Sequence, residues 1–484
     1  MRTAAVAFIV SILCGTILTP LIRQLAHKKG LLDHALSSRK IHGRPVPRLG
    51  GIGIVIAFYM PLVGLLLFQS GVGQMFLAER NKVIGLFVGG LAIALLGVYD
   101  DLRGAGAGRK FFIQFAVAGL MYWFGYRIDV LANPFGEALH LGWASLPFTL
   151  FWIVGVINAM NLIDGLDGLA GGVALVAVLT TFLISIERGH PLMVLMSSAL
   201  AGAILGFLFY NFNPATIFMG DTGSMFLGFV LSTSAIQTNQ KSSTAVAVLI
   251  PGIALGLPIM DTLLAMGRRA LRGRPMFQAD KEHIHHKLLA RGLTHRQAVL
   301  VLYGFCVVLG AFALVLTYAN SVQTTVLLLA LGLVAFVALR TLGYMRFDRM
   351  AETASDRRRN KALRAATRPF GRRLRFVRSL DEVWTIVTEA ATAFGAVAVR
   401  VGPTPEFSRG FDRAPEAPSL FIARFVIPGN DAFMELGWVE DRRELDRDTE
   451  IAVDIFCERL GDAFESLKST GAVAAVAARP GPSA

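Results

Sequence analysis

Stretches of about 20 apolar residues recur along this chain, and that length is what a helix needs to cross the hydrocarbon core of a bilayer. Eleven such runs lie at roughly 4–25, 50–68, 83–99, 111–126, 146–161, 169–186, 191–210, 217–236, 244–265, 298–318 and 322–342. The pattern predicts an all-α polytopic membrane protein with about eleven transmembrane helices. Composition agrees, with 54% hydrophobic and only 17% charged residues in 484 and a mean hydropathy of +0.56. Abundant aliphatic residues exclude a disordered chain, and three cysteines cannot frame a disulfide scaffold of this length. The first run reads as a membrane helix and not a cleavable leader, because it is long, has only Arg2 ahead of it, and ends in Pro20 and Arg23.

The net charge of +13 raises the question of nucleic acid, and its distribution answers it. Residues 1–375 hold 36 Lys and Arg against 16 Asp and Glu, whereas residues 376–484 hold 11 against 18, so a net of +20 precedes a net of −7. The excess sits between apolar runs. Eight Lys and Arg follow the ninth run, whereas no more than two follow any even-numbered run. Cytoplasmic loops carry such an excess, so the expected topology puts the N-terminus outside and the loops after odd-numbered runs inside. No nucleic-acid partner is expected.

The expected domains are an integral-membrane region over 1–345, a basic juxtamembrane linker over 346–375 that can lie against membrane lipids, a small cytoplasmic α/β domain over 376–470, and a disordered tail over 471–484. The α/β reading rests on an amphipathic helix (SLDEVWTIVTEAATAFG), three strand-like runs (AVAVRV, LFIARFVI, FMELGWV) and a second long amphipathic helix. This part weakly resembles a shortened GAF-type sensory domain, without a motif for ligand chemistry.

Four loops on the expected cytoplasmic side concentrate polar groups that are costly near a membrane. GVYDDLRG carries Asp100 and Asp101, suited to a divalent cation or to an incoming phosphate and its proton, and equally readable as a solvated pair. NAMNLIDGLDGLAGG places Asn161, Asp164 and Asp167 at three-residue spacing beside four glycines. FNPATIFMGDTGS sets Asp221 at a helix start, where it can cap the helix or hold a hard cation together with substrate phosphates. The last, RRALRGRPMFQADKEHIHHKLLARG, gathers His283, His285 and His286 among five arginines and two lysines, which fits an anion better than zinc. Acids, amides and cations at one bilayer edge suit phosphoryl transfer between a phosphorylated lipid and a soluble phosphorylated donor.

In this order, RKIHGRPVPRLGG, GVYDDLRG, NAMNLIDGLDGLAGG, FNPATIFMGDTGS and HIHH resemble the polyprenyl-phosphate N-acetylhexosamine-1-phosphate transferase family over roughly residues 1–342. The resemblance implies transfer of a sugar 1-phosphate from a UDP-sugar donor to undecaprenyl phosphate, a polyprenyl phosphate acceptor, with release of UMP. It implies Mg2+, with Mn2+ as a substitute, in the inner (cytoplasmic) membrane. Carried over by position, Asp221 and Asn161 are metal ligands, and Asp100, Asp101 and His285 form the catalytic set. Asp164, Asp167, Asn211 and Phe218 line the uridine site, with Phe218 stacked on uracil, and Lys110, His283 and His286 meet phosphate. VPRLGG and HIHH depart from the TPTMGG-like and triple-histidine motifs of the peptidoglycan-precursor branch, which makes UDP-GlcNAc the favoured donor. A homodimer and a protein partner for the C-terminal domain are further expectations. A transporter would carry its acids near the midplane, a membrane-anchored sensor would act through residues 376–484, and a CDP-alcohol phosphotransferase would show a DGxxAR-type motif that is missing here.

Overall fold

The structure, a computed structural model, describes residues 2–33, 46–67, 73–74, 78–131, 139–239, 249–271, 283–319, 321–341, 369–404, 407–412, 420–427, 432–439 and 447–469. The first half of RKIHGRPVPRLGG, most of the basic linker, residues 272–282 of the histidine loop and the tail lie outside them. The chain divides into two compact units, Met1–Gly267 with Phe277–Arg346, and Arg268–Met276 with Phe347–Ala484.

Helices dominate the first unit. They are α1 (Arg2–Lys28), α2 (Gly50–Leu67), α3 (Arg80–Arg103), α4 (Ala107–Trp123), α5 (Ser145–Ile163), α6 (Leu169–Glu187), α7 (Pro191–Asn211), α8 (Gly220–Asn239), α9 (Leu249–Ala254), α10 (Gly256–Leu271), α11 (Ile284–Ala290), α12 (His295–Tyr318) and α13 (Ser321–Thr341). Among the described residues, α1, α2, α3, α5 with its preceding turn, α6, α7 and α12 are long and apolar enough to cross a membrane. The chain is a multi-pass membrane protein, with further helices between and after these seven.

The ninth apolar run is not one uninterrupted helix. It is described as α9 and α10, meeting at Leu255. Pro258 explains the interruption, because it has no N–H to give the Ala254 carbonyl four residues earlier.

Packing follows membrane logic. Along α1 the large residues Val6, Ile9, Leu13, Ile17 and Leu21 point outward, while Ala4, Ala7, Ser11, Gly15 and Thr19 are buried. Lipid tails are as apolar as leucine, so close backbone approach favours small residues at the interface. Gly202 and Gly206 of α7 supply the other side: a Cβ on Gly206 would stand 2.6 Å from the Ile12 carbonyl oxygen.

Two short antiparallel pairs punctuate the bundle, β1 (Leu32–Asp33) with β2 (Val46–Pro47) and β3 (Val130–Leu131) with β4 (Leu139–His140). The chain leaving β2 runs beside the segment that opens α8. Phe218 donates its N–H to the Pro47 carbonyl (2.7 Å), and Gly50 and Gly51 donate theirs to Phe218 and Met219 (2.9 and 2.8 Å). Only glycine fits at 51, since a Cβ there would collide with the backbone of Gly223.

The second unit is a small α/β fold. An antiparallel sheet of order β6-β5-β8-β7 is built from β5 (Ala398–Thr404), β6 (Phe407–Asp412), β7 (Leu420–Ile427) and β8 (Ala432–Val439). With it pack α14 (Leu380–Ala393) and α15 (Arg447–Ser469), through Val383, Val387, Val453 and Leu460 against Val399, Val401, Met434 and Leu436. Leu374 joins this core, so folded structure begins slightly before residue 376. β6 was not expected, because FSRGFD is short and lacks apolar alternation.

Gly51→Ala should destabilise the detergent-purified protein by about 1–3 kcal/mol, the usual cost of forcing a methyl into a filled site. A Cβ on Gly155 meets nothing within 4 Å, so Gly155→Ala should leave the thermal transition in place. Equal shifts in the two variants would contradict this packing.

Candidate active site

The site forms where the end of α3 meets the start of α8. Asp100 and Asp101 close α3, and a helix turns successive side chains about 100° apart, so the two acids diverge. Asp101 reaches α8: Oδ1 accepts the Asp221 N–H (2.8 Å), and Oδ2 accepts the Thr222 N–H (3.0 Å) and the Thr222 hydroxyl (2.6 Å). It therefore satisfies backbone donors that the first turn of a helix leaves open. Gly220 makes the approach feasible, with φ of +70° and the Asp101 carboxylate beside its Cα.

Asp221 is thereby fixed with its side chain facing Lys110 of α4. Lys110 Nζ donates to Asp221 Oδ2 and lies 2.5 Å from Asp100 Oδ2, so one ammonium joins the two carboxylates. Asp100 Oδ1 also accepts the Ala105 N–H (2.5 Å). Asn161, near the end of α5, donates to the Ser224 hydroxyl (3.0 Å), which itself bonds the Gly220 carbonyl (3.0 Å). Asp100, Lys110, Asn161 and Asp221 thus surround one helix start.

The loop after α5 completes one wall. Asp164 caps α5, and burial is the first cause that pushes its carboxyl up to about 7. The negative charges of Asp221 and Asp101 push the same way, and Arg48 opposes them. Asp167 is buried, with Oδ2 accepting from the Asn213 amide and the Ala215 N–H (both 3.0 Å). Asn211 is buried as well; it accepts the Gly168 N–H (3.1 Å) and donates to the Ile217 carbonyl (3.0 Å). Asn211 thus spends both ends of its amide on backbone, which makes it a tie between loops. Phe218, with both backbone groups bonded to the β2 side, has a half-buried ring.

The histidines approach the same loop from α11. His285 is 2% exposed, and among the described residues neither of its ring nitrogens has a hydrogen-bond partner. Burial, followed by the neighbouring His286, lowers its pKa to about 3, so it is neutral near pH 7. It lies against the Asp164 loop, since a Cβ on Gly165 would fall 2.5 Å from His285 Nε2. His286 is tilted against it at 4.3 Å between ring centroids. His283 is buried with Nδ1 on Asp261 Oδ2 (2.8 Å). Asp261 did not stand out in the sequence, although an acid inside the apolar run IALGLPIMDTLLAM was a signal.

Residues 83–239, from α3 through α8, match the family described as Glycosyl transferase family 4. A probable undecaprenyl-phosphate N-acetylglucosaminyl 1-phosphate transferase of Bacillus subtilis is 41% identical over 321 residues, covering 66% of this chain and 87% of the relative. The chain belongs to this transferase family. A decaprenyl-phosphate N-acetylglucosaminephosphotransferase of Mycobacterium tuberculosis is 33% identical over 344 residues, 66% of this chain and 83% of that protein. An undecaprenyl-phosphate alpha-N-acetylglucosaminyl 1-phosphate transferase of Escherichia coli is 28% identical over 329 residues, 65% and 84% respectively. The family match spans Asp100, Asp101, Lys110, Asn161, Asp164, Asp167, Asn211, Phe218 and Asp221, and ends before Asp261 and the histidines.

Because the free carboxyl ionises near 3.8 and the folded Asp164 near 7, its burial costs more stability as pH rises between those values. Asp164→Asn removes a charge only where one exists in the fold. Its gain in melting temperature should therefore be larger at pH 8 than at pH 5, measured without nucleotide or metal. An equal gain at both would contradict the raised carboxyl.

Proposed function

We propose that this transferase moves GlcNAc 1-phosphate from UDP-GlcNAc to undecaprenyl phosphate at the cytoplasmic membrane face, releasing UMP. The names of its relatives support the donor sugar and the polyprenyl acceptor. The observation that carries the reading is the Asp100–Lys110–Asp221 cluster held at the start of α8 by Asp101. The concentration of Lys and Arg after odd-numbered apolar runs supports an external N-terminus and a cytoplasmic position for this cluster.

In the reaction, an oxygen of the lipid phosphate forms a bond to the β-phosphorus of UDP-GlcNAc. The bond from that phosphorus to the bridging oxygen breaks, and the electron pair leaves with UMP. A phosphate monoester with second pKa near 6 is already mostly ionised at neutral pH, so the acceptor needs little help from a base. Asp100 then serves through charge and position, holding the Lys110 ammonium where an incoming phosphate can meet it. Lys110 offers its ammonium to phosphoryl oxygens, and the neutral His285 can donate one hydrogen bond at the far wall. Asp164 stands where a donor nucleotide would run along its loop.

Mg2+ fits this donor set. Asp221 and Asn161 offer oxygen, and among the described residues no three His, Cys, Asp or Glu are grouped to hold a metal by themselves. Magnesium is commonly held by one or two carboxylates together with substrate phosphates. When bound it would neutralise charge on the diphosphate.

Purified protein supplied with UDP-GlcNAc, Mg2+ and undecaprenyl phosphate should release UMP only when the lipid is present. Asp221→Ala should lower that rate by about 100-fold or more, as expected for loss of a charge-stabilising group. Full activity in Asp221→Ala, or no release from folded wild-type protein with any UDP-sugar, would refute the assignment.

A further inference from the structure

Asp261 lies within α10, 2% exposed, in surroundings where a carboxylate persists only if both oxygens are satisfied. Oδ2 takes the His283 Nδ1–H (2.8 Å), and Oδ1 takes the Ile284 N–H (2.9 Å). A single carboxylate therefore grips the side chain of one histidine and the first backbone donor of α11. A carboxylate oxygen accepts, so His283 presents a proton on Nδ1 to Oδ2.

Beyond His283 the contact continues. Its ring plane lies within 5° of parallel to that of His285, with 5.8 Å between the centroids. The His285 ring, which has no hydrogen-bond partner among the described residues, is pressed on Gly165, next to Asp164. The orientation of His285 is thus set by stacking and contact, and the stack is anchored at Asp261.

We infer that Asp261 is a positioning residue for the transfer reaction: it fixes the tautomer of His283 and, through the ring stack, the placement of His285 against the Asp164 loop. This rests on the function proposed above and adds a residue outside the region of the family match.

Asp261→Asn separates positioning from folding. The Ile284 N–H can only donate, so the amide oxygen must stay with it, and the NH2 then faces His283 Nδ1. That nitrogen must become an acceptor, which moves the proton to Nε2. Kcat for UMP release should fall about 10- to 100-fold, the range usual for partners that orient a functional histidine. The KM for UDP-GlcNAc and the melting temperature should stay close to wild type. 15N spectra of histidine-labelled protein should show Nδ1-protonated His283 in the wild type and Nε2-protonated His283 in the variant. His283→Asn should lower kcat similarly, and the double variant should be no worse than either alone.

Activity of Asp261→Asn within twofold of wild type would overturn the inference. So would a fully additive double variant, or an Nε2-protonated His283 in the wild type. Should Asp261→Asn not fold, His283→Asn decides, and wild-type kcat there refutes the role. An inactive wild type would count against the proposed function alone, because the tautomer still tests the Asp261 anchor.

Discussion

Asp101 accepts three hydrogen bonds from the first turn of α8, and the rest of the site is arranged around that contact. A helix that begins at the border of an apolar layer has backbone N–H groups with nothing to bond, and leaving them bare is costly. Here the acceptor comes from the end of another helix, so one interaction caps α8 and fixes it against α3. Asp221, one residue into α8, inherits its place from that cap. Lys110 then answers the negative charge of Asp221 and Asp100 together. Two neighbouring acids thus make separate contacts, Asp101 with the first turn of α8 and Asp100 with Lys110.

Around this centre, the bundle is tight where backbones must approach and loose where lipid suffices. The small face of α1 against α7, and Gly51 beside Gly223, bring helices within reach of one another, while large aliphatic side chains are turned outward. That close approach lets the segment after β2 lie along Phe218 and Met219, and it carries Arg48 into the field of Asp164. Packing and electrostatics are linked here, because a shift of α2 would move a positive charge as well as a backbone.

Much of this was legible in the sequence. Apolar runs of membrane length foretold most helices of the first unit, since that signal depends on length and composition alone. The acids and amides stood out because they are expensive where they sit, and the structure brings Asp100, Asn161 and Asp221 together with Lys110, which only the family resemblance had singled out. What was not legible depends on direction. Adjacent aspartates look equivalent in a sequence, and only helix geometry sends Asp101 to the backbone of α8 and Asp100 to Lys110. The resemblance assigns Asn211 to the uridine site, and that both ends of its side chain meet backbone depends on a fold that joins residues 168 and 217. Asp261 was hidden by its apolar neighbours, and its partner His283 is 22 residues away. Short β6 and the interruption at Pro258 turn on single residues within otherwise ordinary runs.

The central claim is that the bond broken lies between the two phosphorus atoms of the donor, so that the sugar travels with its phosphate. UDP-GlcNAc labelled at the β-phosphorus tests this directly when incubated with the purified protein, Mg2+ and undecaprenyl phosphate and then partitioned between organic and aqueous phases. The account predicts that the label enters the organic phase with the lipid, while the uracil stays in water as UMP. Sugar in the organic phase with the β-label left in water as UDP would contradict it.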